Sequence, residues 1–404
     1  MIVLCASLVL GAVGSGSRSL GGEDRHGVLQ IQAKELWISA RERVPNGLLV
    51  LEDGRVRSAG KGTADPSDPL IIHDGVVTAG LIASRAEIGA VGELQDDTRS
   101  VLSEARARFT LDWTSTGFER ARAEGITAFV LTPGTRNLVG GLTSVVKTFG
   151  ERISAPDAAL ALSLSAAALG RSTVQGGFLF GAARGEAPAE IEGGPENSST
   201  TQRGTREPTS YPGAVAMLRH LFERGQGPFA RAKTGDLPVT IEAWDRHEVQ
   251  RAIQFAAERH LRGSIRGAPL AGDPDIVAAL KASGLGVVVG PYSAGQAQRS
   301  LESVKILSEA GVPVAFALDA PGHAPIELRL TAVRARDAGA STDAVWKALT
   351  EDAARLAGVG ESAGTLESGR DADVVLWSGN PLDLSSRVVA VYVDGERAWP
   401  AETH

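Results

Sequence analysis

Between residues 76 and 357, apolar runs of strand length alternate with stretches that repeat apolar positions every three or four residues. The first pattern is typical of strands buried on both faces, and the second of amphipathic helices. The strand candidates are residues 76–84, 127–132, 158–165, 237–244, 262–267, 286–292 and 312–319, and the helix candidates are 115–125, 212–224, 246–260, 273–283, 298–310, 324–338 and 342–357. Seven or eight such units predict an α/β fold, and they favour a closed (β/α)8 TIM-type barrel over an open doubly wound sheet.

Both ends of the chain show a different pattern, with short strands and tight turns. Near the N-terminus the strand candidates are residues 28–34, 48–52 and 56–59, and near the C-terminus they are 373–377 and 388–393. Asp53-Gly54 and Asp394-Gly395 follow two of these strands, and Asp-Gly is a strong signal for a two-residue hairpin turn. The two ends therefore predict β-structure outside the barrel.

Two stretches fit neither pattern. Residues 170–211 are rich in Gly, Ser, Thr, Pro and Glu and predict a long loop insertion on one face of the barrel. Residues 2–13 are almost continuously apolar and are followed by Gly14-Ser15-Gly16-Ser17, which is typical of a secretory signal peptide over residues 1–17. Cys5 is the only cysteine and lies in that segment, so the mature protein would form no disulfide and no thiolate metal site.

Composition and charge exclude several classes of partner. The apolar content of 43% and the charged content of 22% are ordinary for a soluble globular protein. With 41 basic and 48 acidic residues and no basic block, the chain lacks the footprint of a nucleic-acid-binding protein. The N-terminal apolar run is shorter than the roughly 20 residues of a spanning helix, so we expect no membrane span in the mature protein. We expect export to the periplasm or the extracellular space; without a functional signal peptide the protein would be cytoplasmic.

Near the C-terminus, residues 364–373 read Gly-Thr-Leu-Glu-Ser-Gly-Arg-Asp-Ala-Asp. This segment resembles the Gly-Thr-Leu-Glu-x-Gly-Lys-Asp-Ala-Asp signature of the amidohydrolase superfamily. Further matches lie at residues 380–383 and 393–395, and residues 133–135 and 140–147 resemble the imidazolonepropionase-like branch. The resemblance covers residues 28–397. It implies a barrel over residues 78–359, a discontinuous β-sandwich domain from residues 28–77 and 360–399, and metal-dependent hydrolysis of non-peptide, often cyclic, C–N bonds.

The family's chemistry depends on a zinc ion or another divalent metal that lowers the pKa of bound water. The resemblance implies a His-x-His pair on the first strand, histidines on the fifth and sixth strands, and an aspartate on the eighth. Some branches add a lysine that bridges two metals. In this chain the histidine positions carry Arg85, Glu87, Glu242, Trp244 and either Arg266 or Gly267, whereas Asp319 and Lys147 keep the aspartate and lysine positions. An arginine stays protonated and cannot ligate a metal, so we predict no metal site and no cofactor.

These replacements suggest that a salt-bridge network occupies the ancestral metal site. Such a network would pair the cations Arg85, Lys147 and Arg266 with the carboxylates Glu87, Glu242 and Asp319. Trp244 would then fill the emptied pocket or offer a stacking face, and His323 would cap the loop after the last barrel strand. An alternative is an oxygen-rich magnesium or manganese site formed by Asp319, Glu87, Glu242 and His323.

The functional prediction is a non-catalytic protein that retains Asp319 as a vestige of the catalytic machinery. It would bind a small molecule, or form a homo-oligomer or a hetero-oligomer with an active amidohydrolase. Two alternatives remain open. One is an active amidohydrolase-like hydrolase with a reorganised site around Asp319, Lys147 and Glu242. The other is a purely structural partner whose barrel mouth is filled. Fold-level resemblance alone cannot choose among them.

Overall fold

The computed structural model describes residues 27–170, 206–269, 271–293, 295–319 and 323–400. The predicted signal segment 1–17 and most of the predicted loop 170–211 lie outside these residues. The strands are β1 Leu29–Trp37, β2 Arg43–Glu52, β3 Arg55–Gly60, β4 Leu70–Ala79, β5 Leu81–Ala83, β6 Ile126–Leu131, β7 Val139–Leu142, β8 Ser144–Lys147, β9 Ile153–Ala155, β10 Leu160–Ser163, β11 Val239–Ala243, β12 Gly263–Gly267, β13 Gly286–Val289, β14 Val314–Phe316, β15 Val374–Trp377, β16 Val388–Val393 and β17 Glu396–Trp399. The helices are α1 Thr116–Ala123, α2 Tyr211–Arg224, α3 Pro228–Thr234, α4 Arg246–Glu258, α5 Pro274–Ser283, α6 Gln298–Glu309, α7 Ile326–Asp337, α8 Thr342–Leu349 and α9 Glu351–Leu356.

Strands from both ends of the chain form one seven-stranded sheet in the order β17-β16-β15-β4-β1-β2-β3. Its hairpins turn as the Asp-Gly pairs predict: Asp53 and Gly54 have φ of 50° and 76°, and Asp394 and Gly395 have φ of 48° and 79°. A bridge between Arg55 and Asp371 links β3 to the segment before β15, so the sheet curls around its own apolar core. The terminal sheet is thus built from segments more than 300 residues apart.

The central part of the chain forms the barrel. Strands β10 to β14 are parallel neighbours, and β5 pairs in parallel with β6. A parallel bridge from Ala86 to Asp319 joins the end of β14 to the segment after β5. The run β7–β8 connects the two arcs by antiparallel pairing, β7 with β10 and β8 with β6. The α/β barrel with an added β domain is confirmed, with this antiparallel run as its local departure from a strictly parallel wall.

The interior of the barrel is lined by small side chains. Alanines, among them Ala128, Ala158, Ala315 and Ala317, make up most of its apolar cluster, and the larger members on its strands are Ile82, Val130, Val145 and Val288. Barrel interiors are usually filled by bulky branched residues. Small residues leave space between the strands, and this space contributes to the cavity of the candidate site.

The main departures from the predicted elements are local. Residues 342–357 form two helices, because Thr350 has φ −130° and ψ −85° and its hydroxyl donates to the carbonyl of Trp346. The short helix α3 and the strands β7 to β9 were not predicted, since each is too short for a periodic signal. Across the part of the chain that the structure describes, every helix is too short or too polar to cross a membrane.

Candidate functional site

The candidate site lies inside the barrel, where the strands carry alternating inward and outward side chains. Glu242 and Arg266 are register partners on β11 and β12, so their side chains point the same way. Thr240 and Ser264, two residues earlier, line the same interior space. The isoleucine between each pair packs outward against the helices. The polar face of these two strands therefore belongs to the barrel interior.

Arg85 and Asp319 lie next to Glu242 and Arg266 and come from the segments that follow β5 and β14. The backbone amides of Leu318 and Asp319 both donate to the carbonyl of Arg85, at 2.9 and 3.0 Å. Asp319 has φ 66°, a left-handed conformation that aspartate adopts more readily than most residues. The backbone therefore fixes the two residues side by side before their side chains interact.

Four side chains form what we call the rim cluster: Arg85, Glu242, Arg266 and Asp319. Arg85 Nε donates to Asp319 Oδ1 at 2.8 Å, and Arg266 Nη2 donates to Asp319 Oδ2 at 2.5 Å. Glu242 lies farther away, at 3.7 Å from Arg85 Nη1 and 3.9 Å from Arg266 Nη1. Both oxygens of Asp319 are thus taken by guanidinium groups, while Glu242 supplies long-range charge compensation.

Burial shapes the electrostatics of the rim cluster. The side chains of Arg85 and Arg266 are only 8% and 5% exposed. Burial, together with the positive charge of Arg85, lowers the pKa of Arg266. Glu87 is partly exposed beside the cluster, and burial raises its pKa although Arg85 acts in the opposite direction. The two guanidiniums therefore repel each other and depend on the surrounding negative charge.

Trp244 lies at the rim and does not fill the barrel. Its side chain follows Glu242 by two residues, and Nε1 donates to Glu242 Oε1 at 2.8 Å. The guanidinium carbon of Arg266 lies 5.0 Å from the centre of the indole ring, within the range of a cation–π contact. Trp244 is 43% exposed, so the interpretation that it fills the emptied pocket is wrong and the stacking interpretation fits the geometry.

Lys147 is not part of this cluster. It ends β8, where it pairs with Ala128 near the start of β6, and so lies at the opposite end of the barrel from Asp319. Its Nζ donates to Asp371 and Asp373 at 2.9 Å and to Asp394 at 2.8 Å. We call these four residues the basal cluster. The structure therefore corrects the expected network, in which Lys147 accompanied Arg85, and it does not support a reorganised site around Asp319, Lys147 and Glu242.

His323 and the register at β12 complete the predicted set. His323 Nδ1 lies 2.5 Å from Glu327 Oε2, in the first turn of α7, and Glu327 in turn accepts from the amide of Ala324, so the capping role of His323 stays a prediction. His323 also lines a surface pocket together with Trp244 and Asp319. Two residues were candidates for the position of the sixth-strand histidine, Arg266 and Gly267. Of these, Arg266 lines the cavity inside the barrel.

The rim cluster adjoins a cavity inside the barrel, in which about 40 Å³ is accessible to the centre of a water molecule. Hydroxyl-bearing residues line it beside Arg85, Glu242 and Arg266; they are Ser84, Thr132, Thr135, Thr143, Ser163, Thr240 and Ser264. The sequence analysis did not single out these hydroxyls. A period of two along β11 and β12 from Glu242 and Arg266 would have found Thr240 and Ser264, whereas the others depend on tertiary packing.

Glu248 is a further residue that sequence reasoning missed. It belongs to the capping box of α4, in which Asp245 accepts from the Glu248 amide. Its carboxylate also accepts from the amides of Ala166 and Trp244 at 2.6 and 2.7 Å. A 2%-exposed carboxylate thereby fixes the loops after β10 and β11 next to the rim cluster. The pattern Asp-x-x-Glu was the available signal.

The side chains do not fit the divalent metal that the resemblance implies. In the residues that the structure describes, nowhere do three or more His, Cys, Asp or Glu side chains gather as metal ligands. Asp319, at the position of the family's catalytic aspartate, has both oxygens bonded to arginines. Two permanently charged guanidiniums would also repel a dication at this point. The same argument applies to an oxygen-rich magnesium or manganese site.

Comparison with known proteins shows which sequences this chain resembles. Residues 234–398 match the model of the amidohydrolase family. A 72-residue segment is 40% identical to imidazolonepropionase of Bacillus velezensis (strain DSM 23117 / BGSC 10A6 / LMG 26770 / FZB42), and this match covers 17% of each chain. The chain therefore aligns with less than a fifth of that enzyme's length.

Among solved structures, an amidohydrolase from Thermotoga maritima MSB8 superposes with a TM-score of 0.74 at 21% identity, over 92% of this chain and 99% of that one. Molinate hydrolase superposes with a TM-score of 0.57 at 14% identity, over 94% of this chain and 97% of that one. The A. niger ochratoxinase gives a TM-score of 0.54 at 17% identity, over 93% of this chain and 96% of that one. At these identities the likeness shows the fold.

Proposed function

We propose that this protein is an amidohydrolase relative in which an arginine–carboxylate cluster has replaced the metal centre. It would act as a non-catalytic ligand-binding or partner protein. Its amidohydrolase origin is supported by the family match over residues 234–398 and by the fold of the barrel with its terminal sheet. The imidazolonepropionase-like affiliation is supported only by a short segment.

One observation carries the proposal: both carboxylate oxygens of Asp319 are bonded to buried guanidinium groups. A catalytic aspartate must accept and release a proton during the reaction. In this protein each oxygen of Asp319 already accepts a charge-assisted hydrogen bond from an arginine, so neither oxygen is free to take part in such a transfer. The arrangement favours a permanent ion pair over a proton relay.

Metal analysis and hydrolase screening test the proposal together. We expect purified protein to carry far less than one equivalent of zinc, manganese or iron, and to hydrolyse no cyclic amide or related C–N substrate. The Asp319→Asn variant serves as the active-site control and Asp343→Asn, a surface partner of Arg43, as the matched control. A stoichiometric metal, or a turnover that Asp319→Asn abolishes and Asp343→Asn retains, would overturn the proposal.

We further propose, from residues 1–17 alone, that the protein is exported. N-terminal sequencing of protein recovered from the expressing cell and its medium tests this expectation. An intact Met1 on cytoplasmic protein would contradict it. A partner role is tested by light scattering of the purified protein, alone and mixed with an active amidohydrolase from the same cell.

A further inference from the structure

The donors of the rim cluster are not all used. Arg85 Nη1 and Arg266 Nε are buried without a hydrogen-bond partner within the described part of the chain. The contact of Arg85 Nη1 with Glu242 Oε2, at 3.7 Å, is an ion pair that is too long for a hydrogen bond. A buried charged donor left without an acceptor loses its hydrogen bonds to water without replacement, which is unfavourable. Such donors point to an acceptor that completes them.

These free donors belong to residues that line the barrel cavity. Arg85 and Arg266 both contribute to its wall, and both bond the same carboxylate. The hydroxyls of Ser84 and Thr143, also in the wall, lack partners among the described residues. Guanidinium nitrogens can only donate, and hydroxyls can do so as well. The cavity wall therefore carries several donors without partners, beside the Glu242 carboxylate, whose Oε2 lies 3.7 Å from Arg85 Nη1.

The size of the cavity limits what can enter. The space open to the centre of a water molecule is about 40 Å³, so the cavity is larger than a single-water site. A ligand of a few non-hydrogen atoms therefore fits. Gly134 and Thr135 in the wall are partly exposed, so the cavity approaches the surface at the loop after β6.

We propose that the barrel cavity binds a small planar carboxylate of the size of formate or acetate, anchored on Nη1 of Arg85. This inference rests on the proposed non-catalytic function and names the ligand class of that site. A carboxylate oxygen accepts from Nη1 of Arg85 in a charge-assisted hydrogen bond, which is stronger than a hydrogen bond to a neutral water. The apolar end of acetate would contact the small side chains of the wall.

Calorimetry and NMR of 13C-labelled ligands on the full chain test the proposal. We expect acetate and formate to bind with one-to-one stoichiometry. Acetamide, which has the shape of acetate without its charge, should bind at least tenfold more weakly, and butyrate should be excluded by size. If acetamide matches acetate, if butyrate binds as well as acetate, or if 100 mM acetate produces no saturable signal, the proposal is wrong.

Variants assign the binding to the cavity. Arg85→Lys keeps one cation for Asp319 but removes the free N–H groups, and we expect at least a tenfold loss of acetate affinity. Arg219→Gln, which removes an arginine paired with Glu258 on the outer surface, should bind acetate as the unmodified protein does. Acetate affinity unchanged in folded Arg85→Lys, or equally reduced in Arg219→Gln, would overturn the assignment. If Arg85→Lys does not fold, the acetate–acetamide comparison on the unmodified chain decides.

The two proposals fail separately. A stoichiometric metal or an Asp319-dependent turnover, measured on the same preparation, would remove the non-catalytic function whatever the acetate result. Equal binding of acetate and acetamide would remove the carboxylate site and leave the metal-free rim cluster in place.

Discussion

Two buried charged clusters lie at opposite ends of the barrel, and they differ in how completely their donors are used. In the basal cluster Lys147 has three N–H groups and three carboxylate partners, each at 2.9 Å or less. In the rim cluster the guanidiniums of Arg85 and Arg266 keep nitrogens without partners in the described residues, next to a cavity. The first arrangement is that of a structural connection, and the second that of an incomplete site.

The origin of the partners explains the difference. The basal carboxylates come from Asp371, Asp373 and Asp394, at the start of β15 and in the turn after β16, so Lys147 joins the barrel to the terminal sheet. Arg152 extends this connection through Asp394 and Glu396. The rim cluster draws every member from barrel segments and faces inward. Buried ion pairs thus connect the barrel to the terminal sheet at one end of the barrel and surround a cavity at the other end.

The sharpest test of this contrast is the removal of the basal cation. Lys147→Met would leave three aspartates, of which Asp373 is 5% exposed, without their common partner. We expect a loss of about 3–5 kcal/mol in the free energy of unfolding, because breaking a buried pair leaves charge uncompensated. Urea denaturation measures it. Arg219→Met, at the exposed pair with Glu258, is the matched control and should cost about 0–1 kcal/mol. Equal losses would show that the basal cluster is not a structural connection.

Removing the shared carboxylate of the rim cluster should destabilise the protein less than removing Lys147 from the basal cluster. Asp319→Asn keeps the shape but removes the charge that both arginines contact, and Asp319 is 25% exposed. We expect a loss of about 1–3 kcal/mol in unfolding free energy, since water can reach the freed groups and hydrogen bonds to charged partners contribute about that much. Thermal and urea unfolding check it. A loss larger than that of Lys147→Met would reverse the comparison.

The pH dependence of stability tests the basal cluster through its buried carboxylate Asp373. Burial raises the pKa of Asp373 to about 6, above its usual value of 3.8, although Lys147 acts against this. The folded state therefore binds a proton more readily than the unfolded state. The contribution of Asp373 to the free energy of unfolding should increase as the pH falls from 7 through 6 to 4, by about 1–3 kcal/mol.

Another carboxylate of the basal cluster acts in the opposite direction at lower pH. Burial tends to raise the pKa of Asp394, but Lys147 and Arg152 hold it below its usual range. Its stabilising contribution is present at and above pH 4 and is lost as the pH falls further.

Urea unfolding of the unmodified protein and of Asp373→Asn between pH 7 and 4 isolates the contribution of Asp373. If the two proteins show the same slope over that range, Asp373 does not titrate as expected.

The smallest expected effect concerns Trp244. Trp244→Phe removes the hydrogen bond to Glu242 but keeps an aromatic face near Arg266. We expect a loss of about 0.5–1.5 kcal/mol, the usual net contribution of one hydrogen bond. Because the side chain is partly exposed, no cavity forms in the core. A loss above 3 kcal/mol in urea unfolding would mean that Trp244 supports the barrel mouth after all.

The local pattern of the chain determined much of this architecture. Continuous apolar strands alternating with amphipathic helices predicted the barrel, and Asp-Gly pairs predicted hairpins whose residues adopt the required positive φ. Residue identities at positions 85, 87, 242, 244 and 266, none of which is histidine, were enough to predict a site without imidazole ligands. Such properties follow from side-chain chemistry and from neighbours a few residues apart.

Only the tertiary structure decided where the charges meet. Lys147 was expected beside Arg85, but β8 runs antiparallel to β6, and this pairing carries the lysine to the other end of the barrel. The partners of Lys147 lie 224, 226 and 247 residues away in the chain, beyond the reach of any local pattern. The free nitrogens of Arg85 and Arg266 and the cavity beside them likewise depend on packing. A donor is free or used only according to which distant acceptor the folded chain brings to it.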